Sequence, residues 1–173
     1  MKTLFLVIIF LTLPALVSAE TVSFDDLVKR NYLFYKKFSD SPFTGKVNGR
    51  IQGIIKRGKR QGLWLEYHEN GQLKAKANFK DGKLHGLDEW YYKNGQLEQK
   101  KNYKDGELHG LAELYRENGQ LKAKGNWKDG KLHGLFEWYY ENGQLKKKGN
   151  FEDEELISVT CFSETGEEKV CDD

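Results

Sequence analysis

The chain has 173 residues, of which 31% are charged and 38% are hydrophobic, and its formal net charge is +2. This length has room for one domain, and the two cysteines at positions 161 and 171 are too far apart for a CxxC-type metal or redox site. The small net charge hides an uneven distribution, because residues 44–150 hold 22 basic and 13 acidic residues, whereas residues 151–173 hold one basic and nine acidic residues.

Residues 1–19 have the pattern of a secretory signal peptide. Lys2 is followed by an apolar run over residues 4–13, Pro14 interrupts this run, and the small residues Ser18 and Ala19 suit a signal peptidase. The run is shorter than the roughly 20 residues that span a bilayer, and a retained membrane anchor is the alternative. We predict cleavage near Ala19 and export of the mature chain, which becomes periplasmic or secreted.

Residues 20–43 are predicted to form an N-terminal capping segment. Residues 27–30 and 32–35 have the composition of two short strands on either side of Asn31. Such a hairpin would protect the first edge of whatever sheet follows it.

The centre of the chain repeats with a period of 24 residues. An Asn-Gly-Gln-Leu segment begins at positions 70, 94, 118 and 142, and an Asp-Gly pair begins at positions 81, 105 and 129. Such pairs between apolar stretches are strong hairpin signals, because glycine adopts a positive φ without steric cost. The predicted turn residues are Asn70, Gly71, Asp81, Gly82, Asn94, Gly95, Asp105, Gly106, Asn118, Gly119, Asp129, Gly130, Asn142 and Gly143.

The spacing of these turns leaves strands of about eight to ten residues and no room for helices. Connections this short make sequential strands pair antiparallel. We therefore predict an all-β fold, a single-layer elongated antiparallel β-meander of tandem 24-residue hairpin repeats. The array covers residues 44–156 and has a capping hairpin at each end.

The repeated apolar positions indicate how the two strands of a hairpin face each other. Leu63 and Tyr67 are four residues apart and share one strand face, and Leu73 and Phe79, six apart, also share one. A three-residue loop with glycine in the left-handed conformation would bring both pairs onto a single face of the sheet. This is the register that we favour from the sequence.

The remaining strand positions provide the candidate binding face. A two-residue turn would instead pair Leu97 with Tyr92 and Trp90 and would exchange the faces. The candidate face is either a solvated surface with lysine stems over aromatic rings or an aromatic groove rimmed by cations for an anionic or glycan-like partner. Its residues are Trp64, Trp90, Tyr92, Leu114, Trp138, Tyr140, Lys76, Lys100, Lys124 and Lys148.

Residues 157–173 are predicted to form a C-terminal capping hairpin with an acidic tail. A turn centred on Gly166 would place Cys161 opposite Cys171, and cysteines of exported proteins commonly form disulfides. A pair of free thiols is the alternative. The acidic residues of this segment suit a solvated tail.

Residues 125–134, Gly-Asn-Trp-Lys-Asp-Gly-Lys-Leu-His-Gly, resemble the core of MORN (membrane occupation and recognition nexus) repeats. Residues 77–86 and 101–110 match that core except at the first glycine. The interleaved Asn-Gly-Gln-Leu segments are similar to the bacterial MORN-variant type, many members of which are described as antitoxins. The resemblance implies a β-hairpin array that binds a protein partner, and a toxin is one such partner.

The sequence argues against catalysis and metal binding. Equivalent histidines at positions 85, 109 and 133 would lie roughly 9.5 Å apart, at about 4.8 Å per strand. A shared metal ion would need both imidazole nitrogens within about 2.1 Å. The histidines therefore more plausibly pack or hydrogen-bond beside the turns. No serine lies in a nucleophile-elbow motif, and we predict a protein that is not an enzyme and has no cofactor.

The combined pattern favours a protein-binding scaffold. The alternative is a module that binds anionic lipid or cell-wall glycan through the basic array. Nucleic acid is not expected as a partner, because the chain has an export signal and lacks a nucleic-acid recognition motif. No oligomeric state follows from the sequence.

Overall fold

The computed structural model describes residues 19–171, so the predicted signal peptide up to Ser18 lies outside the described residues. Nearly all regular structure in this range is β-strand, beside one 3-10 turn at Phe24–Asp26. The strands are β1 (Thr21–Ser23), β2 (Leu27–Arg30), β3 (Leu33–Lys36), β4 (Gly45–Asn48), β5 (Ile51–Lys56), β6 (Lys59–Tyr67), β7 (Leu73–Lys80), β8 (Lys83–Tyr91), β9 (Leu97–Lys104), β10 (Glu107–Tyr115), β11 (Leu121–Lys128), β12 (Lys131–Tyr139), β13 (Leu145–Glu152), β14 (Glu155–Phe162) and β15 (Glu168–Lys169).

Thirteen of these strands form one sheet, in which β4 to β15 follow each other in chain order and β1 is added beside β4. All neighbours from β4 onward are antiparallel, which confirms the predicted meander. We call β6–β7, β8–β9, β10–β11 and β12–β13 units 1 to 4. Within residues 19–171, no helix has the length and apolar character needed to cross a membrane.

The Asp-Gly turns are two-residue hairpin turns. Lys80 pairs with Lys83, and Asp81 and Gly82 between them have φ values of +51° and +84°. Two successive positive φ values define the type I′ turn, whose twist matches that of paired strands. The same conformation persists after unit 4, where Asp153 (φ +48°) is followed by Glu154 (φ +78°) instead of glycine.

The Asn-Gly turns have the predicted three-residue loop. The His68 N–H donates to the Gln72 carbonyl at 2.8 Å, and Gly71 has a φ of +84°. The Asn70 side-chain oxygen also accepts a hydrogen bond from the Gln72 N–H at 3.1 Å. Asparagine thus fixes the loop through its side chain.

A β-bulge next to this loop makes the favoured assignment of the faces wrong for the aromatic position, although Leu73 lies opposite Tyr67 as predicted. Tyr67 pairs with Leu73, but Glu66 pairs with Ala75, so one residue of β7 is skipped. Beyond the bulge, Gly62 therefore lies opposite Phe79. Side chains alternate with a period of two, so this displacement places the aromatic side chain on the other face from Leu63.

The two-residue alternative is also wrong, both about the turn and about the partner of Leu97. Leu97 pairs with Tyr91, not with Tyr92 or Trp90. As the cross-strand partner of Tyr91, Leu97 lies on the same face as Tyr91.

The N-terminal segment adds a second layer over one end of the sheet. β2 and β3 form the predicted hairpin as a separate two-stranded sheet, with Asn31 and Tyr32 in the turn at φ +47° and +64°. Phe24 and Phe34 of this segment pack against the buried core at the start of the sheet, where Trp64 lies. The predicted single layer therefore holds for the later units and not for this end.

Both outer edges of the large sheet are partly covered. β1 pairs with β4 in parallel, which the intervening chain of residues 24–44 makes possible. At the other end, β14 runs across the boundary predicted at residue 156, and β15 pairs with it after a turn at Gly166. The predicted disulfide joins Cys161 and Cys171, whose Cα atoms are 5.2 Å apart.

Replacing Glu154 with glycine should stabilise the fold. The left-handed conformation costs an L-residue about 1–2 kcal/mol, and the extra chain entropy of an unfolded glycine offsets about 0.5–1 kcal/mol of that gain. We expect a net rise of about 0.5–1 kcal/mol in the free energy of unfolding, measured by urea denaturation. The matched control Glu152→Gly, in strand β13, should lower stability, and an unchanged or lower stability in Glu154→Gly would contradict the prediction.

Candidate binding faces

One face of the sheet carries most of the large aromatic side chains of the array. Because Trp64 lies opposite Ala77, and Ala77 in turn opposite Asp88, these side chains share a face with Phe79 and Trp90. We call this the aromatic face. Its main side chains are Trp64, Phe79, Trp90, Tyr103, Leu114, Trp127, Phe136, Trp138 and Phe151.

The opposite face carries a row of alternating charges that crosses seven strands. We call it the charged face. Within the row, the ammonium of Lys76 lies 2.6 Å from the carboxylate of Glu89, and that of Lys124 lies 2.8 Å from Glu137. The hydrogen bond that Lys124 donates to Glu137 is the main reason why the pKa of Lys124 is raised. The row runs Lys76, Glu89, Lys100, Glu113, Lys124, Glu137 and Lys148.

The structure therefore separates eight of the ten predicted binding residues into two groups, one on each face. Trp64, Trp90, Leu114 and Trp138 lie on the aromatic face. The lysines at positions 76, 100, 124 and 148 lie on the charged face, where they alternate with glutamates. The single aromatic groove rimmed by these lysines is not formed, because the bulge exchanges the faces of one strand relative to its neighbour.

The other two predicted residues, Tyr92 and Tyr140, connect neighbouring units. The Tyr92 hydroxyl donates to the carbonyl of Tyr115 at 2.9 Å, and the Tyr140 hydroxyl donates to that of Phe162 at 2.8 Å. The guanidinium of Arg116 makes the same kind of bond at the equivalent position. These side chains lie beside the Asn-Gly loops, and their polar ends are used within the chain.

Large side chains of the aromatic face lie over small residues on neighbouring strands. The ring of Phe136 covers Gly125, since a Cβ atom added there would lie 2.4 Å from a ring carbon. The same ring is 4.1 Å from the ring of Trp138 and 5.7 Å from that of Trp127, between centroids. Unit 4 thus carries a continuous aromatic cluster on this face.

A buried carboxylate interrupts the apolar character of the aromatic face in unit 2. Asp88 is only 6% exposed, and both of its oxygens lie 3.1 Å from the indole N–H of Trp90. Burial raises the pKa of Asp88, and the Trp90 hydrogen bond and the charge of Lys101 partly oppose this rise. A desolvated carboxylate with one donor retains unused acceptor capacity.

The N-terminal segment covers the aromatic face of unit 1. The guanidinium carbon of Arg60 lies 4.6 Å from the ring of Trp64 and 5.2–5.5 Å from those of Phe24, Phe34 and Phe79. Burial among these rings lowers the pKa of Arg60, and the charge of Glu66 partly opposes this. Stacked cations of this kind are favourable on aromatic faces.

The repeated histidines lie beside the Asp-Gly turns, as expected from the sequence. The Nδ1 atom of His85 is 3.3 Å from the carboxylate of Asp105, and His109 has the same contact with Asp129. Each of these two histidines thus contacts the Asp-Gly turn that follows its own unit. No group of three or more His, Cys, Asp or Glu side chains that could hold a metal ion occurs in the part of the chain that the structure describes.

The raised pKa of Asp88 gives a pH dependence of stability with a definite sign. The folded chain holds this proton more tightly than the unfolded chain, in which the pKa is near about 3.9. The contribution of Asp88 to stability is therefore fully present below that value and is lost as pH rises through the folded pKa. Asp88→Asn removes this titration and keeps an acceptor for Trp90.

We expect the stability of the wild type relative to Asp88→Asn to fall between pH 3.5 and 7, measured by urea denaturation. The matched variant Glu107→Gln, at an exposed position, should not show this fall. A wild-type advantage that is constant, or that grows with pH, would contradict the assignment.

The four units each match the family model described as MORN repeat variant, over residues 60–81, 84–105, 108–129 and 132–153. These segments make up about half of the chain and coincide with the hairpins of units 1 to 4. No protein with a curated description matches the chain. MORN repeats are commonly modules that bind proteins or lipids, and the family is generally non-enzymatic. The chain therefore belongs to the MORN repeat variant family.

Proposed function

We propose that the chain is an exported, non-enzymatic scaffold that binds a protein partner through its aromatic face. The observation that carries this proposal is how differently the two faces vary among the four units. This comparison is made between the four repeats of this one chain, not between homologous proteins. Positions on a face that only maintains the sheet can stay the same, whereas a face that recognises a specific partner needs different side chains along its length.

The charged face is nearly constant from unit to unit. Equivalent positions carry leucine throughout (Leu63, Leu87, Leu111, Leu135), tyrosine throughout (Tyr67, Tyr91, Tyr115, Tyr139), lysine throughout (Lys76, Lys100, Lys124, Lys148) and asparagine throughout (Asn78, Asn102, Asn126, Asn150).

The central rows of the aromatic face vary strongly. One row carries Trp64, Asp88, Ala112 and Phe136, and the next carries Glu66, Trp90, Leu114 and Trp138. Aromatic residues contribute disproportionately to protein interfaces. Beyond unit 1, no second layer covers these residues within residues 19–171.

Export is supported by two independent features. The signal-peptide pattern of residues 1–19 comes from the sequence, and the Cys161–Cys171 disulfide suits an oxidising compartment. A toxin is one candidate partner, by the resemblance to MORN-variant proteins described as antitoxins. In that case the chain would act as an exported immunity protein.

Binding to anionic lipid or wall glycan is the second candidate function. The excess of basic residues over residues 44–150 favours it. The pairing of Lys76 with Glu89 and of Lys124 with Glu137 weighs against it, because paired lysines on the charged face present less net positive charge. The protein-binding function is therefore the one that we favour.

Two variants on opposite faces of β12 test the proposal. Trp138→Glu places on the aromatic face the residue that unit 1 has at position 66, and Leu135→Glu makes the same charge change on the other face, where Leu135 is 44% exposed. Affinity capture from the native cell envelope identifies partners of the wild type, and their affinities are then compared. We expect Trp138→Glu to weaken binding at least about tenfold and Leu135→Glu to weaken it less than about twofold.

Thermal unfolding of both variants checks that each remains folded. Equal losses in the two variants would contradict an aromatic binding face. Binding only to anionic vesicles or wall glycan, abolished between 50 and 500 mM salt, would favour the second function, because exposed charges are screened by salt.

A further inference from the structure

A narrow slot lies on the aromatic face at the junction of units 1 and 2. Its floor is Ala75 and Ala77 of β7, and its walls are Trp64 on β6 and Trp90 on β8. The cavity has a volume of about 280 Å³. Sites for whole small molecules are usually about 300–1,000 Å³, so this slot suits one inserted side chain.

Among the four units, only unit 1 has alanine at both floor positions. In unit 2, the positions equivalent to Ala75 and Ala77 carry the long side chains of Gln99 and Lys101. In unit 3, the ring of Phe136 lies over Gly125.

In unit 4, the counterparts of the two alanines are Lys147 and Gly149. Gly149 lies beneath Phe151 and Leu156, because a Cβ atom added to it would meet their side chains at 3.0 and 2.9 Å. The alanine pair of unit 1 leaves its floor uncovered between Trp64 and Trp90.

The slot continues an interface that already exists within the molecule. Phe24 of the N-terminal segment contacts Trp64 edge-to-face, with ring centroids 6.2 Å apart, and Phe34 contacts Phe24 at 5.6 Å. The chain thus places aromatic rings against the first part of this face. The open slot begins where that covering ends, and an aromatic ring is the group whose packing it would extend.

Cations of the chain already lie over both aromatic walls of the slot. Arg60 lies over the Trp64 ring at 4.6 Å, and Lys74 lies over the Trp90 ring at 5.7 Å. Lys74 also pairs with Glu66 at 2.7 Å. The cation–π positions over both walls are therefore already occupied within the chain, and the carboxylates of Glu66 and Asp88 balance these two cations.

Asp88 adds a polar requirement at one wall of the slot. Its carboxylate accepts from the single N–H of Trp90 and keeps acceptor capacity for another donor. A ring with its own N–H or O–H group could satisfy that capacity. An indole or a phenol therefore suits the slot better than a plain phenyl ring.

We propose that the slot receives a single indole or phenol ring, a tryptophan or tyrosine side chain of the protein partner. The inference rests on the proposed function, since it names a side chain of that partner. The slot can nevertheless be tested without the partner, because free amino-acid amides carry the same rings.

The test measures binding of N-acetyl-tryptophanamide, N-acetyl-tyrosinamide and N-acetyl-phenylalaninamide to the purified protein by NMR. We expect shifts of the Ala75 and Ala77 amides with all three probes, and roughly tenfold tighter binding of the tryptophan and tyrosine probes, since they can donate to a charged acceptor. Asp88→Ala, which introduces the residue that unit 3 has at position 112, should remove this preference. Equal binding of all three probes to the wild type would overturn the role of Asp88.

Two further variants test the position of the site. Ala77→Leu should abolish binding of every probe by filling the floor. Trp90→Leu, which introduces the residue that unit 3 has at position 114, should weaken binding about three- to tenfold, and it decides the case if Ala77→Leu fails to fold. Leu135→Ala on the charged face is the control and should bind all probes normally.

No probe binding, or binding that survives both slot variants, would overturn the inference. The proposed function is tested separately at Trp138 in unit 4. If the probes fail while Trp138→Glu still loses the partner, only the slot is excluded. If the probes bind as expected while Trp138→Glu keeps the partner, the slot stands and the broader aromatic interface does not.

Discussion

The one-residue bulge beside each Asn-Gly loop determines which side chains share a face of this sheet. It recurs at the same place in all four units, between Glu66 and Tyr67 in unit 1 and between Trp138 and Tyr139 in unit 4. A register displaced by one residue exchanges the two faces of a strand. If one unit lacked its bulge, its lysines would join the aromatic face and leave their glutamate partners. The aromatic face and the charge row therefore both depend on this irregularity being repeated in every unit.

A sheet with so little core also needs coupling between units, and the turns provide it. At the Asp-Gly ends, the backbone N–H of Gly106 donates to Leu84 at 2.9 Å, and that of Glu154 donates to Leu132 at 3.0 Å. At the other ends, the Asn94 side chain donates to the carbonyl of Glu117 at 2.9 Å. Each Asn-Gly loop is thus bound to the next loop, and each Asp-Gly turn is bound to the first strand of the unit before it, as expected of a repeat array. The bond to Leu132 also explains why the last turn keeps its shape although Glu154 is strained there.

The sequence was sufficient to place the turns but not to assign the side chains to the two faces of the sheet. Asn-Gly and Asp-Gly pairs act through local backbone preferences, so Gly71, Asp81 and their counterparts could be placed by spacing alone. The bulge has no such local signal, because the pairing of whole strands determines that Lys74 has no cross-strand partner on β6. The charge row was visible in principle, since Lys76 and Glu89 recur on the same period, but it can be recognised only in the correct register. The slot over the alanines could not be predicted, because three strands form it together. The position of the N-terminal hairpin over Trp64 could not be predicted either, because it depends on tertiary packing.

The different variation of the two faces has a physical cause in how each is packed. On the charged face, Lys100 lies between Glu89 and Glu113 on the neighbouring strands, so changing one member of the row alters the cross-strand neighbour of two others. Such a row can change only as a whole, and its equivalent positions are nearly identical.

On the aromatic face, a change can be compensated by the neighbouring strands. Phe136 lies between Gly125 and Gly149, and Asp88 lies between Ala77 and Lys101. In each case a large or charged residue is matched by a small or oppositely charged neighbour, which conserves volume and charge locally. The fold can therefore accept new side chains on the aromatic face without losing its register. That freedom makes the aromatic face the one on which specificity for a partner can be built.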